Sequence, residues 1–293
     1  MHRIDTSTAQ VDKFGSGKNG FTGGNPQTGE LPTALDADYF DSLQEELAAV
    51  IEAAGITLDK NKNNQLYTAI KSQFNAGRLI GIKVITSSGL YIPSVGAKKG
   101  KARAVGGGAG GGGGPAAGSS QQSCAQGGQC GSYAEVLFDI SAASYAVTIG
   151  AAGVAGTASA AGTAGGATTL AGIFSCPGGS PGSQGIASSA TITVSNNAAN
   201  STYATISSGT ALINLPASPG EPFIVLGVLS GQLRGGRGGS NPFGIGGSPG
   251  AFGPGTVGRG FGSGGGGCSQ GQGGAGDVGG AGLPGIMVIE EYA

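Results

Sequence analysis

Two hydrophobic periods divide the chain. Apolar residues Phe40, Leu43, Leu47, Val50 and Ala54 recur at spacings of three and four, the pattern of a helix with one narrow apolar stripe. Asp36 or Asp38 stands where a short acceptor side chain can cap its first turn, and Gly55 stands where the helix should end. A second helix, from about Lys62 to Phe74, carries Leu66, Tyr67, Ile70 and Phe74 on one face. From Leu79 the period falls to two. Ile80, Ile82 and Val84 alternate with other residues, Leu90 to Pro93 follows a turn, and Lys101 to Val105 alternates again. Further strands are expected at Ala134 to Ile140, Tyr145 to Ile149, Ala190 to Val194, Tyr203 to Ile206, Ala211 to Leu215, Phe223 to Leu229 and Ile286 to Glu291.

Between the strands a third period appears, carried by glycine. Gly150, Gly153, Gly156, Gly162 and Gly165 share one phase of a three-residue repeat. So do Gly179, Gly182 and Gly185, then Gly244 to Gly253, then Gly273 to Gly285. Three residues per turn is the polyproline-II-type helix, which has no internal hydrogen bonds and must find partners sideways. The run Val105 to Gly114, nearly all glycine, opens this region. A flexible linker would have similar Gly and Ser content. Interspersed Leu170, Ile173, Phe174, Ile186, Ile245, Phe252, Phe261 and Ile286 suit packed helices better than a solvated linker. The expected fold is mixed: a small α-helical N-terminal attachment domain, then a mainly β, glycine-rich domain with polyglycine or polyproline-II-type helices. The expected divisions are an extended attachment arm over 1–35, a helical attachment domain over 36–78, and a distal domain over 79–293.

Composition sharpens this picture. Twelve of the 64 glycines fall in the first hundred residues, leaving 52 for the rest, and that second part carries few charges. A formal net charge of −1 argues against nucleic-acid binding, which needs excess Lys and Arg to displace counterions. Arg234-Gly-Gly-Arg237-Gly-Gly resembles an arginine-glycine box, but two arginines do not outweigh that balance. No apolar run approaches the ~20 residues of a membrane helix, so membrane insertion is not expected. The start, Met1 to Thr6, leads into no apolar signal segment, so synthesis in soluble form in a cytoplasm is expected.

Candidate chemistry is sparse. Gly15-Ser16-Gly17-Lys18-Asn19-Gly20 imitates a phosphate loop but lacks the Ser or Thr after Lys18 and the leading glycine. The single histidine, His2, makes a Ser-His-Asp or Cys-His arrangement improbable, and paired carboxylates are few. The four cysteines, Cys124, Cys130, Cys176 and Cys268, lack C-x-x-C spacing and read as small buried thiols. Cys124 and Cys130 could alternatively close a small loop in an oxidising medium. No enzyme activity, cofactor or metal is expected. Exposed arginines and aromatics make binding anchors. In the glycine-rich half Arg234, Arg237, Asn241, Phe243, Phe252, Arg259 and Phe261 gather within 28 residues, the candidate receptor-binding group. The phenylalanines, nine apart, could instead plug the ends of a glycine-helix bundle. The loop Ser195 to Ser201 is a rival, with amides suited to sugar hydroxyls.

The opening motifs His2-Arg3-Ile4-Asp5-Thr6, Lys18-Asn19-Gly20-Phe21 and Gly24-Asn25-Pro26-Gln27-Thr28-Gly29 resemble the start of tail fibres from Mu-like and related temperate bacteriophages. Leu35 to Asp41, Leu43 to Leu47 and Ile85 to Tyr91 extend the resemblance, as does the ending Gly282-Leu283-Pro284-Gly285-Ile286. In such fibres the N-terminal part attaches to the tail tip and the glycine-rich part meets the host. The resemblance therefore implies a virion tail protein, made in the host cytoplasm. It also implies a homotrimer joined to other tail-tip or baseplate proteins. Its receptor would be a pilus, lipopolysaccharide or outer-membrane protein. The stripe of Phe40, Leu43, Leu47 and Val50 is compatible with a three-fold axis, although it could also pack on its own domain.

Overall fold

The computed structural model describes residues 2–75, 77–189, 192–194, 202–226 and 233–293, and the chain divides into two compact units, Met1–Arg78 and Leu79–Ala293.

In the first unit, helix α1 (Ala37–Ala53) begins at Asp36, whose side chain accepts from the backbone N–H of Asp38. It ends where Gly55 takes a positive φ of 73° that a side chain would resist. Helix α2 (Gln65–Asn75) packs on it, and Ile51 and Ala69 are buried. Residues 2–35 correct the expectation of an extended arm. They fold into successive turns, with Gln10 and Gly20 exchanging backbone bonds of 2.9 Å and Asn25 pairing with Glu30. The phosphate-loop look-alike is one such turn, closed by Asp12, whose carboxylate accepts from Gly17 N at 2.6 Å. The segment is then drawn onto α1 by burial of Ile4 and by edge-to-face contact of Phe21 with Tyr39. Phe40, Leu47 and Val50 remain 40–44% exposed along α1, and Leu43 is half-buried.

The second unit is mainly β, as its alternation indicates. Its first sheet runs Leu79–Ile85, Ile286–Tyr292, Lys99–Val105, Tyr133–Asp139 and Thr210–Leu215 in spatial order, all antiparallel. The second runs Thr205–Ile206, Phe174–Cys176, Thr168–Leu170, Tyr145–Thr148 and Gly89–Tyr91. Ala102, Ala134, Val136, Phe138, Met287 and Ile289 from the first sheet meet Tyr91, Tyr145, Val147, Leu170 and Phe174 from the second in one core. The short strands Thr168–Leu170 and Phe174–Cys176 were not expected, because three residues are too few to display alternation. Of the expected strand from Ala190 to Val194, Ile192–Val194 is present, and 190–191 lie outside the described residues. Likewise Ile224–Leu226 is a strand, and 227–229 lie outside them.

The sandwich carries a pH-dependent element of stability. Glu291, fully buried, accepts from the Tyr91 hydroxyl at 2.8 Å and from Ser94 N at 3.0 Å. Burial alone would raise its carboxyl. Hydrogen bonds from Ser94 and Tyr91 and the Lys83 charge outweigh burial and hold it below its ordinary value. Glu135, beside Tyr133, Lys101 and Arg103, is lowered in the same manner. A depressed folded pKa contributes stability above the unfolded value of about 4.3, and that contribution disappears as pH falls through the folded value. Denaturant midpoints should therefore drop as pH falls from about 5 through the unfolded carboxyl value and below it. Glu291→Gln should flatten that slope while lowering the midpoint at pH 7; an unchanged slope would refute the assignment.

The glycine runs do not fold as linkers. Most of the strands that close the core continue directly into extended rods of three residues per turn, and the rod 106–114 lies at their centre. Its successive N–H groups point in three directions. Gly106, Ala109 and Gly112 donate to Ser132, Gln129 and Gln126. Gly107, Gly110 and Gly113 donate to Gly166, Thr163 and Ala160. Gly108, Gly111 and Gly114 donate to Leu283, Gly280 and Asp277. In each series the partner number falls as the donor number rises, so those three rods run antiparallel to the centre. The central carbonyls accept from three further rods that run parallel to it: Gly179, Gly182 and Gly185; Gly153 and Gly156; and Gly265 and Cys268. The backbone bonds of the central rod from Gly107 to Gly114 are thus made sideways, in a six-neighbour lattice. Neighbouring backbones fill the space where side chains would stand. A methyl at Gly110, Gly111 or Gly113 would fall inside the carbonyls of Val154, Gly266 or Thr157. Most of the expected period-three glycines donate laterally, some to the central rod, as Gly153, Gly156, Gly179, Gly182 and Gly185 do, and others to outer rods, as Gly247, Gly250, Gly279 and Gly282 do. Gly273 falls in a turn and Gly253 pairs with Ser269, and at both a methyl would meet nothing within 4 Å.

Candidate receptor-contact surface

The antiparallel alternation of the rods fixes where their connections lie. One end of the lattice joins the sandwich. At the other end the chain turns through 115–121, 157–160, 250–254 and 271–276. There the strand Gln122–Cys124 pairs with Ser269–Gln270 and Ile186–Ser188 in a small sheet. The loops support one another. Ala117 N donates to Gly274 O at 2.9 Å and Gly273 N to Gly118 O at 3.0 Å. A methyl at Gly276 would touch Ala158. Gln270 Nε2 donates to Asp277 at 2.6 Å.

Phe252 is the large aromatic on this end, 59% exposed, with φ at +61°. A bulky residue in the left-handed region costs on the order of 1–3 kcal/mol, so the surroundings must hold it there. Ser269 does so, its hydroxyl accepting from Phe252 N at 3.1 Å while donating to Gly250 O at 2.6 Å. The same end of the lattice carries exposed Ile186 and, in the loops 115–121 and 157–160, the small neutral side chains Ser119, Ser120, Thr157 and Ser159, all exposed. Among the described residues of these loops the surface offers hydroxyls, the Phe252 ring and open backbone.

The seven residues grouped by sequence are not one surface. Phe252 lies at the loop end. Phe243 and Phe261 lie at the sandwich end, packed with Val105, Tyr133, Ile286 and Val288, and the Phe243 and Tyr133 rings are 5.8 Å apart. Asn241 braces that corner, donating to Phe261 O at 3.0 Å and accepting from Phe243 N at 2.7 Å. Arg259 is exposed on the adjoining strand Arg259–Gly260, which pairs with Gly244–Ile245. Arg234 is exposed toward the loop end and pairs with Glu221 at 3.3 Å; Arg237 is exposed on the rod between. The rival loop 195–201 lies outside the described residues. Sequence reasoning passed over 115–121, 157–160 and 271–276, whose signal is the interruption of the glycine period by serine, alanine and glutamine. The residues of the α1 stripe belong to the other unit.

The cysteines lie within the lattice and the core, buried, with free thiols. Burial raises Cys124, Cys176 and Cys268 to about 12 and Cys130 to about 11. The alternative of a Cys124–Cys130 loop is excluded. The two flank one rod, where six residues at 3.1 Å each span roughly 19 Å, far beyond disulfide reach.

No protein-family model matches the chain. The chain is 65% identical over 72 residues to "Uncharacterized protein StfP" of Escherichia coli (strain K12). The likeness covers 25% of this chain and 34% of that protein, so the chain spans about a third of that relative's length.

Proposed function

We propose that the chain is a phage tail fibre, a non-enzymatic receptor-binding protein that attaches the virion to the bacterial surface. The observation that carries this reading is the lattice itself. A rigid, side-chain-poor bundle brings its connecting loops together at the end remote from the sandwich. Loops on a stiff scaffold can vary in sequence without disturbing it, which suits recognition. The resemblance of residues 1–91 to tail fibres and the 72-residue likeness to StfP support the same reading. On it, the unit Met1–Arg78 attaches to tail-tip or baseplate proteins and the fibre is a homotrimer on the virion tail. Phe252 and the loops 115–121 and 271–276 are then the receptor contacts, in place of the full arginine and phenylalanine group.

The test is adsorption of purified protein to host cells and to mutants lacking pili, lipopolysaccharide or single outer-membrane proteins. Binding should disappear on one mutant class. Phe252→Ala and the double change Ser119→Glu with Ser120→Glu should abolish binding at unchanged melting temperature, whereas Arg259→Ala should not. Loss at Arg259 with silent tip variants would move the contact to the opposite end.

A second reading, a structural tail-tip component bridging other tail proteins, draws on one observation. The edge strands Leu79–Ile85 and Gly89–Tyr91 and the turn after them expose Ile82, Val84, Leu90, Ile92 and Val95, the last completely. Absence of binding to every host strain, with retention in purified particles, would favour the bridge.

A further inference from the structure

The geometry points to a divalent-cation site of the zinc type formed by His2, Asp5 and Asp36, which ties residues 2–5 to the first turn of α1. One imidazole nitrogen and two carboxylate oxygens lie within 4.8 Å of one another. Ligands around a tetrahedral zinc at 2.0–2.2 Å stand roughly 3.4 Å apart. The side chains must therefore close by on the order of 1 Å, within reach of rotamer changes for exposed groups.

Three features favour an ion there over a chance meeting of surface groups. First, the two backbone segments are already clamped together. Thr6 Oγ1 donates to Ala34 O at 3.4 Å, and Thr8 Oγ1 accepts from Ala34 N at 2.7 Å. Ile4, between His2 and Asp5 in sequence, is 1% exposed and anchors that segment by its burial. Second, the imidazole is oriented by Tyr39, edge to face with centroids 6.0 Å apart, at the rim of a cleft of about 480 Å³. Third, the carboxylates lack a counter-charge: among the described residues no ion pair includes Asp5 or Asp36. Asp36 also caps α1 through Asp38 N at 3.2 Å, and a carboxylate has lone pairs enough for both roles. The ligand set selects the metal. Calcium and magnesium prefer all-oxygen shells, whereas an imidazole with carboxylates suits zinc and its neighbours. Water would complete the coordination.

The site is independent of any receptor role. It is tested by calorimetric titration of the full, untagged, chelator-treated chain with zinc and, separately, with calcium. Zinc should bind with one-to-one stoichiometry and raise the melting temperature, and calcium should bind at least tenfold more weakly. His2→Gln should lose zinc affinity at least tenfold. Asp36→Asn should do the same, and because asparagine caps a helix as well as aspartate, its fold should be intact by circular dichroism. Zinc affinity unchanged in both variants would overturn the site and assign any bound zinc elsewhere. Calcium binding equal to zinc would remove the imidazole from the ligand set and overturn it as well.

Discussion

Gly111→Ala should be among the most damaging single changes available in this protein. The added methyl would stand inside the carbonyl of Gly266, which belongs to the neighbouring rod and itself accepts the hydrogen bond of Gly280 N. Overpacking an ordinary core costs about 1–3 kcal/mol because side chains can shift aside. Here the obstacle is backbone, and moving it breaks lateral hydrogen bonds on the displaced rod. The expected cost lies at or above the top of that range, enough to lower the melting temperature by several degrees or to prevent folding. Ala109, fully buried in the same rod, shows that the lattice accommodates a methyl at a position where space exists. Gly279→Val, whose side chain would strike the Gly111 carbonyl, should behave like Gly111→Ala. Gly118→Ala, which meets only the Gln121 side chain, should be nearly silent. Thermal melts of the three variants decide the matter: equal, small effects would mean that the rods are not packed as described.

Which parts of this architecture could be read in the sequence follows from how local their causes are. Asp36 and Gly55 mark the two ends of α1 because capping depends on a few adjacent residues. The strand Lys99–Val105 shows itself by alternation, since one face meets the core and the other meets solvent. The glycine period was legible for a different reason. A helix of three residues per turn in a lattice places the same demand on every third residue, as Gly279, Gly282 and Gly285 illustrate by donating to Gly156, Gly153 and Gly150. What the period does not encode is which rod lies beside which. The pairing of 106–114 with 277–285 joins segments about 170 residues apart, and glycine carries no side chain to specify a partner. Hence the grouping of Arg234 through Phe261 by nearness in sequence failed to give one surface. Each passage through the lattice carries the chain from one end to the other, so Phe243 and Phe252 finish at opposite ends although nine residues apart. Residues 2–35 were misread as extended for the opposite reason. Their polar, glycine-containing composition conceals turns closed by single side chains such as Asp12 and Thr33.

The exposed stripe on α1 leads to the second large effect. Phe40, Leu47 and Val50 are 40–44% exposed, and their burial against other copies is the proposed reason for a trimer. Fully burying a side chain of this size contributes about 1.5–3 kcal/mol, and burying the part of each that is still exposed roughly half of that, so a stripe repeated on three chains could hold an assembly that each helix alone could not. Glutamates at Leu47 and Val50 would place several like charges in that seam, each desolvated and without a partner. The unaltered protein should have the mass of three chains by light scattering, and the double variant Leu47→Glu, Val50→Glu the mass of one. Its melting temperature by near-ultraviolet signals from the glycine-rich unit should be little changed, because α1 belongs to the other compact unit. Cell binding should weaken although the tip loops are unaltered. Three linked sites gain 10²–10⁴ in apparent affinity over one, and that gain is lost when the chains separate. A variant that retains the mass of the unaltered protein would remove the stripe from the seam. A monomeric unaltered protein would leave α1 to cover some other partner on the tail.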